Sequence, residues 1–176
     1  MVAMAMAFLS APGCAGKRSP LESFIERQDT KIIQKSVYNQ ADFGFWAARY
    51  EPVIDDLEEM RAAWVEHGQA FPESKTFDAI EKEVRKRSQR AVLVSLFMTM
   101  YENADLKDKS LGWSVYPVPT KIVELSETDV ILRTLMPIKN QWARYFMLIY
   151  PNGIWNESSV LVISNRDSRV ELVRRH

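Results

Sequence analysis

The hydrophobic pattern of this chain changes period near residue 91, and that change limits the folds the chain can adopt. Before this point apolar residues recur every three or four positions, which is typical of amphipathic helices. After it, short apolar runs alternate with turn-forming residues, which is typical of antiparallel strands. The sequence therefore predicts an α+β chain, with a helical region at residues 20–90 and a β-rich domain at residues 91–176.

The first part of the helical region has a clear start signal. Ser19 can cap a helix, Pro20 suits its first position and Glu22 can complete a capping box. The apolar residues that follow with helical spacing are Leu21, Phe24, Ile25, Ile32, Ile33 and Val37. They fall largely on one helical face, which predicts a first helix over this stretch, as far as Val37.

Two further helical stretches follow. The second has an apolar seam formed by Trp46, Tyr50, Val53, Leu57, Met60 and Trp64. Pro52 should kink this helix or begin a new one, and His67-Gly68 predicts its end. The third begins near Ser74, with an apolar stripe formed by Phe77, Ile80 and Val84. Core packing between helices is the expected role of these faces.

Seven short apolar runs in the second half predict strands, because turn-forming residues separate them. The runs are Val92–Tyr101, Gly112–Tyr116, Lys121–Leu125, Asp129–Leu135, Ala143–Tyr150, Ser159–Ser164 and Arg169–Val173. They favour an antiparallel β-sandwich, for which an immunoglobulin-like arrangement is one option. The alternative is one curved antiparallel sheet with the helices packed across it. Val92–Tyr101 could also extend the third helix, which would leave six strands.

Charge and cysteine content exclude several classes of function. Lys and Arg number 23 in total, as do Asp and Glu, so the chain has no net charge and no basic footprint for nucleic acid. A single cysteine excludes a disulfide framework, so stability must come from packing. The chain has no zinc-ligand motif and no glycine-rich phosphate loop, so no metal and no cofactor is predicted.

The single cysteine, Cys14, follows an apolar segment without charge and precedes a polar stretch. Ala11-Pro12-Gly13-Cys14, with Leu9 upstream, resembles the lipobox of bacterial lipoprotein precursors. The resemblance covers about 14 residues, and no Lys or Arg precedes Lys17. It implies that residues 1–13 are a signal segment, that Cys14 is the lipidation site, and that residues 14–19 are a tether.

A lipidated Cys14 would hold the protein at the bacterial cell envelope through acyl chains such as palmitate, at the inner or the outer membrane. Two other interpretations of the segment stay open at this point. It could be cleaved as an ordinary secretory signal, or it could be a cytosolic tail with an inert thiol. A spanning helix is not expected, because the segment is shorter than the roughly 20 apolar residues that a bilayer requires.

No catalytic residue is predicted. His67 lies at a predicted helix end, and Asp105 and Asp108 lie in an acidic loop that also carries lysines, which disfavours calcium. The densest basic cluster is a candidate for contact with anionic lipid headgroups and consists of Lys82, Arg85, Lys86, Arg87 and Arg90. The aromatic candidates for contact with a protein partner are Trp113, Trp142 and Trp155.

These observations favour a non-enzymatic, lipid-anchored envelope protein that binds a partner protein or has a structural role. The first alternative is a small-ligand binder or enzyme with a pocket between the helices and the sheet. The second is a cytosolic protein in which the N-terminal segment has no role.

Overall fold

The computed structural model describes residues 18–38, 43–49, 53–136, 142–154, 160–166 and 169–173. The helices are α1 (Pro20–Thr30), α2 (Val53–Glu66), α3 (Lys75–Lys86) and α4 (Val130–Leu135), with 3-10 turns at Tyr101–Ala104 and Lys109–Leu111. The strands are β1 (Ile32–Tyr38), β2 (Phe43–Arg49), β3 (Arg90–Met98), β4 (Ser114–Tyr116), β5 (Lys121–Leu125), β6 (Arg144–Tyr150), β7 (Leu161–Ser164) and β8 (Arg169–Leu172). The α+β class predicted from the sequence is confirmed.

The strands form two antiparallel sheets. The larger has the order β1-β2-β3-β6-β5, and the smaller has the order β4-β7-β8. Strands β3 and β6 pair at the centre of the larger sheet, with Leu93 opposite Met147 and Val94 opposite Phe146. Both strands are almost completely buried, so the centre of the larger sheet is covered on both faces.

Alternation along the central strands divides the interior into two cores. Leu93 and Met147 face the helices and join Phe24, Leu57 and Phe77 in one apolar cluster. The neighbouring positions on the same two strands face the smaller sheet and form a second cluster. The members of that cluster at the sheet interface include Val94, Leu96, Phe146, Leu148, Leu161 and Ile163. The helices, the larger sheet and the smaller sheet therefore form three layers.

The predicted starts of two helices are confirmed. Ser19 caps α1 through a complete capping box with Glu22, with Pro20 in the first helical position. Ser74 caps α3, since its Oγ accepts a hydrogen bond from the amide of Phe77 at 3.3 Å. α2 ends at Glu66, and Gly68 takes a φ of +78° that favours glycine at a helix end.

The predicted helices across residues 32–49 are wrong. α1 ends at Thr30, and Ile32–Tyr38 and Phe43–Arg49 form strands that pair with each other. Ile32 packs on the helix-side core and Ile33 on the opposite core, as alternation in a strand requires. Residues 20–90 are therefore not purely helical, because pairing with β3 outweighs the local helical spacing.

The strand predicted at Asp129–Leu135 is also wrong. Residues Val130–Leu135 form α4, and the Asp129 carboxylate accepts hydrogen bonds from the amides of Ile131 and Leu132. The other six predicted runs all contain strands, and Val92–Tyr101 contains β3 rather than an extension of α3.

An immunoglobulin-like sandwich made by residues 91–176 alone is not confirmed, because the larger sheet takes two strands from residues 32–49. The arrangement agrees with the alternative, in which helices pack across an antiparallel sheet.

Ion pairs fix the directions of the helices. Lys31, just after α1, bonds Asp56 near the start of α2 at 2.9 Å, and Arg27, one turn earlier, pairs with Glu59, one turn later, so α1 and α2 are antiparallel. Arg61 in α2 bonds Glu81 in α3, while Arg85 near the end of α3 bonds Glu58. α2 and α3 are therefore antiparallel as well.

The helical layer consequently has two ends. We call one of them the entry end. The helices α1, α3 and α4 begin at this end, and α2 ends there. The hydroxyl of Ser74 donates to Asp129 at 2.5 Å, which joins the starts of α3 and α4 there. At the opposite end the start of β5 meets the last turns of α3, since Lys121 bonds Glu83 at 2.6 Å. Since β5 starts at the opposite end, its last residues lie toward the entry end. The strand β6 is antiparallel to both β5 and β3, so the first residues of β6 and the last residues of β3 lie there too.

Candidate functional site

The most elaborate polar arrangement among the described residues surrounds Arg144, the first residue of β6. Its Nη2 lies 2.6 Å from Oε1 of Glu124 and 2.9 Å from Oδ2 of Asp105. Lys107 adds a second cation, with Nζ at 2.7 Å from Glu124 Oε2. Together with Tyr101, these residues form what we call the Arg144 cluster. The side chain of Arg144 is only 12% exposed, so its two carboxylate partners replace most of its water.

Two aromatic rings complete the surroundings of the guanidinium. The Arg144 Cζ atom lies 5.6 Å from the ring centre of Tyr101 and 5.7 Å from that of Phe146. At such distances the electron-rich faces of the rings attract a cation. Phe146 belongs to the core between the sheets, whereas Tyr101 is 45% exposed. The cluster thus connects the end of that core to a surface tyrosine.

The electrostatics of the cluster keep both carboxylates ionised. Burial pushes the pKa of Asp105 upward, but hydrogen bonds from the Lys107 amide and from Arg144 outweigh it and lower the pKa overall. Burial acts in the same way on Glu124, and hydrogen bonds from Lys107 and Arg144 again lower its pKa. The hydrogen bonds that Arg144 donates to Glu124 and Asp105 raise the pKa of Arg144 despite its burial. Neither carboxyl group is therefore suited to act as a general acid near neutral pH.

An open groove of about 440 Å³ runs beside the cluster. Its lining includes Tyr101, Lys107, Glu124, Glu127 and Arg144, together with Ser126, whose hydroxyl bonds Thr128. The lining contains neither histidine nor cysteine. Lys107, Glu124 and Arg144 pair with one another, so the chemistry of this part of the groove is that of a structural ion network. It fixes the 3-10 turn at Tyr101–Ala104 against the end of the sheet.

The acidic positions noted in the sequence have structural partners. Asp105 accepts from the Lys107 amide, and Asp108 accepts from the amide and hydroxyl of Ser110. Both carboxylates thereby close their own turns. Across the described ranges, no group of three His, Cys, Asp or Glu side chains is placed to hold a metal ion.

The basic cluster lies at the opposite end from the start of α1. Arg85 bonds Glu81 and Glu58, and Arg90 lies 3.6 Å from Asp55. Lys82, Lys86 and Arg87 have exposed side chains on the last turns of α3. A groove of about 200 Å³ beside Arg85, Arg90 and Asn152 separates these turns from the end of β6.

The three tryptophan candidates have different positions. Trp113 is half-buried against the core between the sheets, and its Nε1 donates to the carbonyl of Asn103 at 2.7 Å. Trp142 is 60% exposed beside the start of β6. Trp155 and the lipidation candidate Cys14 lie outside the described residues. His67 directly follows the end of α2, as the sequence predicts.

Sequence reasoning did not single out the Arg144 cluster, although one signal was present. Arg144 is the one charged residue in the apolar run Ala143–Tyr150, and a charge at such a position requires a partner from another element. Nothing in the local sequence identifies Asp105 and Glu124 as these partners, because 39 and 20 residues separate them from Arg144.

Comparison of the chain with protein-family models, curated proteins and solved structures gives no match. Among the described helices, none is both long and apolar enough to cross a membrane.

Proposed function

We propose that this protein is a lipid-anchored protein of the bacterial cell envelope that performs no catalysis and binds a partner protein. The observation that carries the proposal is the position of Cys14 relative to the folded domain. The lipobox-like segment ends at Cys14, and α1 begins at Pro20 with a complete capping box. A folded domain that starts directly after a short polar tether suits a protein held at a membrane surface.

Acyl chains on Cys14 would supply the attachment. Each buried CH₂ group contributes about 0.8 kcal/mol, so several chains on one cysteine hold a domain stably, whereas a single chain does so only marginally. The folded part then needs no membrane-spanning helix.

The partner surface that we propose is the basic end of α3. Lys86 and Arg87 are exposed there, together with Lys82. Exposed apolar side chains at the same end, Val118 before β5 and Ile154 after β6, add area for a protein contact. This end lies away from the start of α1 and therefore away from the tether. A partner with an acidic surface would complement it.

Support for a non-enzymatic role comes from how the described polar groups are used. The carboxylates of the α2 pairs Asp55-Asp56 and Glu58-Glu59 each form an ion pair with a basic residue outside α2, and the carboxylates around Arg144 stay ionised. The described residues between helices and sheet pack as one apolar cluster, which does not favour a ligand pocket there.

Fatty-acid labelling tests the anchor. Cells that express the wild-type chain should incorporate labelled palmitate into it, and the Cys14→Ser variant should lose all of the label. Equal labelling of the two chains, or none in either, would refute the anchor.

Crosslinking in intact cells tests the partner surface. A crosslinked product should form with wild type and decrease at least tenfold in the double variant Lys86→Glu, Arg87→Glu, because charge reversal repels an acidic partner. Lys75→Glu is the matched control, since Lys75 is exposed at the other end of the same helix. A product that both variants reduce equally, or no product at all, would contradict this surface.

A further inference from the structure

Several large apolar side chains are exposed at the entry end of the domain. They are Val65, Met100, Tyr101, Val130 and Trp142, with exposed fractions of 69, 60, 45, 45 and 60%. We call this set the apolar rim, and we propose that it docks on the lipid bilayer to which Cys14 attaches the protein. The inference rests on the anchor in the proposed function and adds an orientation to it.

The helices place two members of the rim. Val65 lies in the last turn of α2, and Val130 is the first residue of α4. α2 ends and α4 begins at the entry end, close to the capped start of α1. The chain that leads from Cys14 enters the domain beside them, through Arg18 and Ser19.

The larger sheet places the other three members. Met100 and Tyr101 come two and three residues after the end of β3, and Trp142 precedes the start of β6 by two residues. β3 and β6 are paired, with Leu96 opposite Arg144, so the end of one strand adjoins the start of the other. Arg144 also packs over the Tyr101 ring, which holds this tyrosine in place.

The chemistry of the rim suits the boundary of a bilayer. Trp and Tyr are enriched there because an apolar ring and a polar group can each reach a suitable environment. The charges nearby have both signs, with Arg18 and Lys75 as well as Glu22 and Glu66. Docking should therefore depend on apolar insertion, with little dependence on anionic lipid or on salt.

The length of the tether identifies the bilayer as the occupant. Four residues lie between Cys14 and Ser19, and the five residue-to-residue steps that join them span about 18 Å at most when fully extended. The 14 residues of α2 extend for about 21 Å, so the opposite end lies farther from the tether by about that length. An anchor at Cys14 therefore brings the apolar rim, rather than the basic end of α3, to the lipid surface.

The sole cysteine allows a direct test with the full chain. Cys14 is coupled to a maleimide lipid in phosphatidylcholine vesicles, with or without brominated acyl chains that quench nearby indoles. The emission of Trp142 is obtained by subtracting the fluorescence of Trp142→Phe from that of wild type. The bromolipid should remove most of this emission. In Trp142→Phe, Ile154→Trp, the indole introduced at the opposite end should keep its emission.

Three outcomes would overturn the docking surface. They are unquenched Trp142 emission on fully coupled vesicles, equal quenching of the indole introduced at Ile154, and quenching that requires anionic phosphatidylglycerol. An envelope protein crosslinked from position 142 in cells, with no lipid quenching, would show that the rim is a protein interface. Because the anchor is supplied chemically, a failure of palmitate labelling contradicts the proposed function alone and leaves the vesicle result interpretable.

Discussion

Arg144 shows how a single residue can organise one end of this fold. Its guanidinium joins β5, β6 and the segment that follows Tyr101, and the Lys107–Glu124 ion pair adds a second link between that segment and β5. Because the side chain is 12% exposed, removing it would leave Asp105 partly desolvated without the guanidinium, and Glu124 with Lys107 as its remaining cation. A partly buried carboxylate that loses its cation costs more than an exposed pair does.

We therefore expect Arg144→Leu to lower the free energy of unfolding by about 2–3 kcal/mol, less than for a fully buried pair because water reaches both carboxylates. Urea unfolding followed by tryptophan fluorescence measures the change. Arg169→Leu is the control, since Arg169 pairs with Glu171 on the surface and its loss should have little effect. Equal effects of the two substitutions would show that the Arg144 cluster does not stabilise the fold.

The pKa directions predict how that difference depends on pH. The ordinary pKa values of Asp105 and Glu124 are 3.8 and 4.5, and folding lowers both. A carboxyl group with a lowered pKa stabilises the fold above its unfolded pKa, and the stability is lost as pH falls through the folded pKa. The gap between wild type and Arg144→Leu should therefore be complete at about pH 7 and smaller at about pH 3. A gap that stays constant or widens in acid would contradict this assignment.

At the level of secondary structure elements, the helix starts that could be predicted from the sequence are those with a capping residue and a long enough apolar pattern. α1 and α3 were predictable because Ser19 and Ser74 are caps followed by apolar residues at helical spacing. β1 and β2 were not, because the spacing around Trp46 fits a helix and only pairing with β3 shows that the segment is a strand. α4 was missed although Asp129 precedes it, since the six-residue run Val130–Leu135 is too short for periodicity to separate helix from strand.

The contact between Ser74 and Asp129 couples two elements and can be measured. Each residue caps its own helix, and the Ser74 hydroxyl also donates to the Asp129 carboxylate at 2.5 Å. Ser74→Ala and Asp129→Ala should each cost about 1–2 kcal/mol, as losses of helix caps do. The double variant should cost at least about 0.5 kcal/mol less than the sum, because the shared hydrogen bond is lost only once. Additive effects would show that the two caps act independently.

For the whole molecule, the three-layer arrangement explains how a chain with no disulfide is stabilised. The central strands β3 and β6 contribute alternate residues to two cores, one beneath the helices and one beneath the smaller sheet. The sequence could show that these strands are almost entirely apolar, which predicts burial on both faces. It could not show which elements cover each face, because that depends on contacts between residues far apart in the chain.

The shared strands predict that the two cores unfold together. Leu57→Ala removes a buried side chain from the helix-side core, and Leu161→Ala removes one from the core between the sheets. Each should cost about 2–5 kcal/mol. Each should also move the far-UV and near-UV circular dichroism transitions by equal amounts, because β3 and β6 cannot lose one core and keep the other. Val65→Ala, at an exposed position on α2, should change neither transition appreciably. A contrary result would be that Leu161→Ala unfolds the smaller sheet at a lower urea concentration while the helical signal keeps its wild-type midpoint. The two cores would then be energetically independent despite their common strands.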